Sequence, residues 1–203
     1  MILPDTFYIR NEVTLIAREL LGKYLVTNFN NQLTSGMITE TEAYAGITDK
    51  ASHAYGGRRT QRTEVMFRRG GVAYVYLCYG IHHLFNVVTN LENIPHAVLI
   101  RGIEPIDGIS IMMERRKMQS LKTGITAGPG ALSAALGIHY SDTGTKLLGS
   151  EIWIEDRNTM ISNENIMACA RIGVDYAAED ALLPYRFFIK GNRYVSKAKN
   201  NIS

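Results

Sequence analysis

Two runs of this chain put reactive or aromatic side chains where a core strand ordinarily carries Val or Ile. They are GMITETEAYAG, from Gly36 to Gly46, and GVAYVYLCYGIHHLFN, from Gly71 to Asn86. Strand alternation sets Glu40, Glu42 and Tyr44 on one face of the first run and Thr39, Thr41 and Ala43 on the other. Taken singly, a strand glutamate is ordinarily solvated and a strand tyrosine ordinarily packs. A carboxylate two residues from a tyrosine, on one face and stopped by Gly46, has the parts of a base that activates water beside a stacking platform. Tyr44, Tyr76 and His53 together offer ring faces that suit a flat, electron-poor or cationic ring.

In the second run Tyr74 and Tyr76 share a face, and Tyr79-Gly80 falls at or near a hairpin tip. A large aromatic on an exposed tip wastes apolar area unless something covers it, and between base steps of DNA it acts as a wedge. The stretch RRTQRTEVMFRR at 58–69 holds Arg58, Arg59, Arg62, Arg68 and Arg69 with a single acid, a composition suited to phosphates. Further basic clusters stand at Arg115, Arg116, Lys117 and Lys122, and at Lys190, Arg193, Lys197 and Lys199. Each alone reads equally well as a solvated surface. Three of them in an otherwise balanced chain favour a polyanionic partner. A carboxylate, ring faces, a wedge and arginines are the components of an enzyme that takes a base out of a duplex.

The elements that must position these residues follow from periodicity and punctuation. Residues 12–21, with apolar side chains at helical spacing and Gly22 as a stop, predict a helix. Runs 23–29 and 32–43 around Asn30-Asn31 predict a hairpin, and 72–78 with 82–89 a second one. Residues 46–63 carry no periodicity and predict a loop, long enough to be functional. A strand at 96–102, a helix at 107–118 and a short helix at 131–136 closed by Gly137 follow, then strands at 151–155, 166–171 and 185–190. Hairpins and short helices without regular β-α-β alternation predict an α+β fold. The expectation is one domain over 1–203, with a curved, mainly antiparallel sheet, a protruding β-hairpin and surrounding helices.

Several function classes lose support. There is no GxxxxGK[ST] and no GxGxxG after a strand, no GxSxG, no HExxH among the five histidines, and no Cys pair with zinc spacing. No metal or organic cofactor is therefore expected. No run approaches the roughly 18 apolar residues of a membrane span. The start lacks a basic then apolar leader, so a cytoplasmic location is expected. A net charge of +3 does not by itself license nucleic-acid binding.

The ordered motifs ETEAYAG at 40–46, HAYGGRRTQR from His53, MFRRGGVAYVYLCYGIHHLFNVV at 66–88, VLIRGIEP at 98–105, GPG at 128–130 and ARIGV at 170–174 resemble the alkyladenine type of 3-methyladenine DNA glycosylase. The resemblance runs from about Leu15 to Lys197. It implies a monomer that excises alkylated or deaminated purines from double-stranded DNA by simple hydrolysis, without strand cleavage. By the same resemblance Glu42 is the general base for the attacking water. Arg101 helps hold that water, together with the backbone carbonyl of Ile172. Tyr44, His53 and Tyr76 wall the flipped-base pocket, Asn86 disfavours the exocyclic amine of guanine, and Tyr79 enters the duplex. Two departures stand out: Ala131 where the family usually has a lysine, and Ile81-His82 after the tip. A non-catalytic damage-binding module and a hydrolase of free nucleosides are the competing readings.

Overall fold

Asn30 and Asn31 both adopt positive φ, 53° and 61°, the geometry that lets a two-residue turn follow the twist of its strands. They join β1 (Tyr24–Phe29) to β2 (Gln32–Tyr44) in the computed structural model, which describes residues 1–197. The expected basic position Lys199 lies outside the described residues. The second hairpin is β3 (Ala73–Cys78) and β4 (His82–Thr89), followed by β5 (His96–Asp107). Later come β6 (Ile152–Glu155), β7 (Ile166–Cys169) and β8 (Arg186–Ile189). All pair antiparallel in the order β3-β4-β5-β2-β1-β6, with β8 on β2 and β7 on β8. Four helices complete an α+β fold: α1 (Asp5–Tyr8), α2 (Val13–Glu19), α3 (Ile109–Arg115) and α4 (Pro129–Leu136).

The sheet is covered on both faces, and strand alternation divides the labour. Ala73, Val75, Phe85 and Val87 point into the main core with Ile16 and Leu132 of the helices. Tyr74 points the other way, into a smaller cluster with Ala54, Met66, Phe67 and Ala97, so the long 46–69 segment roofs the second face.

Three boundaries differ from expectation for physical reasons. β5 continues past Pro105 to Asp107. Proline lacks a ladder N–H, and Pro105 stands at the register shift between Ser35 and Gly36, where the ladder is already irregular. α3 starts after Gly108 and not at 107, because Gly108 sits at φ 69° and Asp107 is still strand; Lys117 at φ 52° ends it before 118. β7 stops at Cys169, where the chain leaves the sheet and turns back toward β2.

β2 changes partners midway. Its first half pairs with β1, while Glu40, Thr41 and Glu42 pair with β8 on one side and β5 on the other. Between Ile100 and Gly102 the register slips, leaving Arg101 as an extra residue opposite β2. Such a bulge re-aims a side chain, and here it turns Arg101 toward both glutamates. Gly102 has its own reason. A Cβ there would lie 2.5 Å from the carbonyl oxygen of Tyr194, so only glycine lets the 191–197 segment pass over β5.

Candidate active site

One row across the sheet assembles the centre. Register places Tyr74 opposite Asn86, Asn86 opposite Leu99, Leu99 opposite Glu42 and Glu42 opposite Arg186. Residues directly opposite in adjacent strands share a face, so five strands deliver one line of side chains to the side roofed by 46–69. A cavity of about 180 Å3 opens there, walled by Tyr44, His53, Tyr74, Tyr76, Asn86 and Ile172. The sequence-predicted Arg101 and Tyr79 reach it as well.

Glu42 is fully buried and stands one layer behind the cavity wall; its three partners are wall residues. The Tyr44 hydroxyl donates to Oε2 at 2.7 Å, the Ile172 N–H donates to Oε1 at 2.8 Å, and Arg101 Nη1 lies 3.4 Å from Oε1. Burial first, then the Glu42 carboxylate, pushes the Tyr44 phenol well above its ordinary value, so it remains a donor. Two carboxylate oxygens offer about four acceptor sites. Three contacts leave acceptor capacity to spare. For Ile172 the contact with Glu42 is through the N–H; the expected role of its carbonyl concerns a water outside these contacts.

His53 meets Tyr76 edge-on with ring centroids 4.7 Å apart, and its Nδ1 is 2.8 Å from the Tyr74 hydroxyl. Arg62 Nη2 is 3.1 Å from Nε2. The same Nη2 is 3.4 Å from Nδ1, so the guanidinium lies against the ring as a whole. Burial, then Arg62 and Arg58, lower the His53 pKa to about 4. The ring is therefore neutral at physiological pH and does not repel a cationic guest. Asn86 spends both Nδ2 hydrogens on the carbonyls of Tyr74 and Leu84, each at 3.1 Å, which fixes its side chain rigidly in the wall.

Tyr79 is 91% exposed at φ 51°, and Gly80 follows at φ 73°. A non-glycine residue held in the left-handed region at an exposed tip costs on the order of 1 kcal/mol or more. Leu77 and Ile81 beside it are also exposed, so the tip is an apolar point. Three of the arginines suited to phosphates differ in setting. Arg58 is exposed, Arg59 is forked on Glu64 at 2.8 and 2.7 Å, and Arg62 folds over Tyr76, 4.8 Å from its centroid.

Sequence reasoning gave no role to two buried ionic clusters that hold this centre. Glu40 accepts from Arg101 Nε at 3.1 Å, Arg186 Nε at 2.6 Å, and the N–H and hydroxyl of Ser196 at 2.6 and 2.8 Å. Asp49 receives the Arg171 guanidinium through both oxygens and also caps the N–H groups of Ala45 and Ala51. Arg171 donates further to the carbonyl of Ala43, 2.9 Å away, and lies 4.8 Å from the Tyr44 ring centroid. Only ARIGV carried a signal for Arg171; Asp49 sits in an aperiodic loop with none. Among the described residues no group of three or more His, Cys, Asp or Glu could hold a metal ion, and no helix is long and apolar enough to cross a membrane.

A profile describing methylpurine-DNA glycosylase (MPG) matches residues 6–193. A protein of Chlamydia felis (strain Fe/C-56), provisionally named a 3-methyladenine DNA glycosylase, is 46% identical over 188 residues, covering 92% of this chain and 95% of its own. One of the same provisional name from Clostridium perfringens (strain 13 / Type A) is 44% identical over 97% of this chain and 100% of its own. A third, from Desulfitobacterium hafniense (strain Y51), is 44% identical over 94% and 96%. The match spans every strand of the sheet and both halves of the Glu42 centre, and it places this chain in the methylpurine-DNA glycosylase family, hydrolases of N-glycosyl bonds that act in DNA repair.

Proposed function

We propose that this chain is a monofunctional glycosylase that takes alkylated or deaminated purines from duplex DNA into the Tyr44–His53–Tyr76 cavity and hydrolyses the N-glycosidic bond with a water activated by Glu42. The observation that carries this reading is the setting of Glu42: buried, held by three donors, and one layer behind a ring-walled cavity. A carboxylate set back in this way favours acting through a water over direct attack on the sugar. Glu42 takes a proton from that water, the water oxygen bonds to C1′, and the base leaves with the electrons of the C1′–N bond. The same negative charge stabilises the oxocarbenium-like state through which that bond breaks. Arg101, close to Glu42 and also in the cavity wall, holds the water with the carbonyl of Ile172.

The neutral His53 and the tyrosine rings supply π faces for a purine that alkylation has made cationic. Asn86, fixed on two carbonyls, crowds the place where guanine would carry its amine. Tyr79 enters the duplex as the base leaves it, and the loop of Arg58, Arg59 and Arg62 meets the backbone, Arg59 leaving Glu64 and Arg62 leaving Tyr76 to reach it. The protein works as a monomer, and the product is an abasic site with the strand intact.

The direct test is incubation with duplexes carrying 7-methylguanine, hypoxanthine or ethenoadenine, scored as free base released. Release from at least one is the expected result. Binding of all three with no release would leave the non-catalytic damage-binding module. Tyr79→Ser is expected to weaken binding to lesion duplex by about 1–3 kcal/mol, the worth of one aromatic–base stack. Circular dichroism and melting should stay unchanged, because the ring is 91% exposed; a collapsed fold would mean that Tyr79 packs.

A further inference from the structure

Arg193 and Lys197, from the last basic cluster of the sequence, line a second cleft that the reaction as described leaves unused. This cleft, of about 920 Å3, adjoins the base cavity and shares Arg101, Ile172 and Gly173 with it. Arg101 and Ile172 are also partners of Glu42, so the carboxylate lies at the seam between the two spaces. On the far side the cleft meets Gly128 and Pro129 at the start of α4, and Arg193 and Lys197 of the C-terminal segment.

That segment is pinned in alternation. Tyr194 is buried and its carbonyl lies against Gly102; Ser196 is buried on Glu40 through its N–H and hydroxyl. Residues 193 and 197, out of phase with these anchors, are exposed and face the cleft. The other three arginines in the wall are already paired: Arg101 with Glu40 and Glu42, Arg171 with Asp49, Arg186 with Glu40. Arg193 and Lys197 have no carboxylate partner among the described residues, and Asp175 is the one acid in the lining.

A nucleotide presents its groups in a fixed order: base, then C1′ of the sugar, then phosphate. The molecule presents ring-walled cavity, then Glu42, then cationic cleft. From this juxtaposition we infer that the cleft between the start of α4 and the 193–197 segment seats the phosphodiester of the flipped nucleotide, with Arg193 and Lys197 as its cations. The inference rests on the reading of the preceding subsection. It adds a site for the DNA backbone on the side of Glu42 opposite the arginine-rich loop. The anchoring of Ser196 on Glu40 gives it rigidity: the carboxylate that holds Arg101 near Glu42 also fixes the segment that presents Lys197.

The test uses the full chain with Arg193→Gln, Lys197→Gln and both together. Affinity is measured against potassium chloride concentration for a duplex with one ethenoadenine and for the same duplex undamaged. Each cation that neutralises a phosphate contributes about 0.9 to the slope of log K against log salt. The double variant is therefore expected to lose about 1–2 from the slope on the lesion duplex and less on the undamaged one, where no nucleotide is held at Glu42. Melting should not change, since both side chains are exposed. An unchanged slope on lesion DNA overturns the inference, and so does an equal loss on both duplexes, which would make these residues general backbone contacts. Base release by the unaltered protein is scored in parallel: release with an unchanged slope sinks only the cleft, whereas no release sinks the glycosylase reading itself.

Discussion

Glu42→Gln is expected to bind a hypoxanthine duplex as the unaltered protein does and to release base slower by a factor of about 10²–10⁴. That is the usual contribution of a positioned general base, and it corresponds to about 3–5 kcal/mol of barrier. The substitution fits the site closely. The amide oxygen can take the place of Oε1 and keep the Ile172 N–H at 2.8 Å. The NH2 group then stands where Oε2 was and donates to the Tyr44 hydroxyl, which accepts as readily as it donates. Arg101 loses one of its two carboxylates and keeps Glu40 at 3.1 Å. Shape and hydrogen bonding therefore survive, and the ability to accept a proton does not. Single-turnover release under saturating protein isolates the chemical step, and a melt confirms the fold. Near-normal turnover from a folded Glu42→Gln protein would falsify the mechanism.

The parts of this centre that were legible in the sequence are those with a local cause. Glu42 and Tyr44 are two residues apart on one strand, so pleating alone puts their side chains together, and the 2.7 Å bond between them follows. Tyr74 and Tyr76 meet the same rule, with ring centroids 5.6 Å apart. Asn30-Asn31 and Tyr79-Gly80 marked their turns through the residues that tolerate positive φ. The long aperiodic loop brings His53 into the cavity wall and Asp49 onto Arg171.

What stayed hidden depends on register and on distant sequence. Nothing in VLIRGIEP says that Arg101 is a bulge residue; that follows from how β5 slips against β2. Ser196 reaches Glu40 across 156 residues and Arg171 reaches Asp49 across 122. Neither pairing leaves a periodic or compositional trace. Glu40 was visible on the same face as Glu42, yet its task differs from that of its neighbour. It gathers Arg101, Arg186 and Ser196 into one buried cluster and so sets the arginine that also lies 3.4 Å from Glu42. Two glutamates at i and i+2 look alike in sequence, and only their partners in the fold tell them apart.

The same logic makes Asp49 a residue whose loss should cost the fold heavily. Asp49→Ala is expected to destabilise by about 3–5 kcal/mol, the usual price of leaving one buried charge unpaired, and to lower Tm by on the order of 10 °C. Both members of this pair are almost wholly buried, with side-chain exposures of 0% for Arg171 and 1% for Asp49. Removing the acid strands the guanidinium and uncaps the N–H groups of Ala45 and Ala51. Removing both charges is different. Asp49→Ala with Arg171→Met leaves no orphaned ion and replaces the cation with an apolar chain against Tyr44 and Tyr185, so the double variant should be more stable than Asp49→Ala alone. Activity should not recover with stability. Arg171 ties the carbonyl of Ala43, between Glu42 and Tyr44, to the turn that carries the Ile172 N–H. Without it the double variant, assayed well below its Tm, should still release base slowly. A single Asp49→Ala variant that melts within a degree of the unaltered protein would show that the pair does not stabilise the fold, and a double variant with full activity would show that it does not position Glu42.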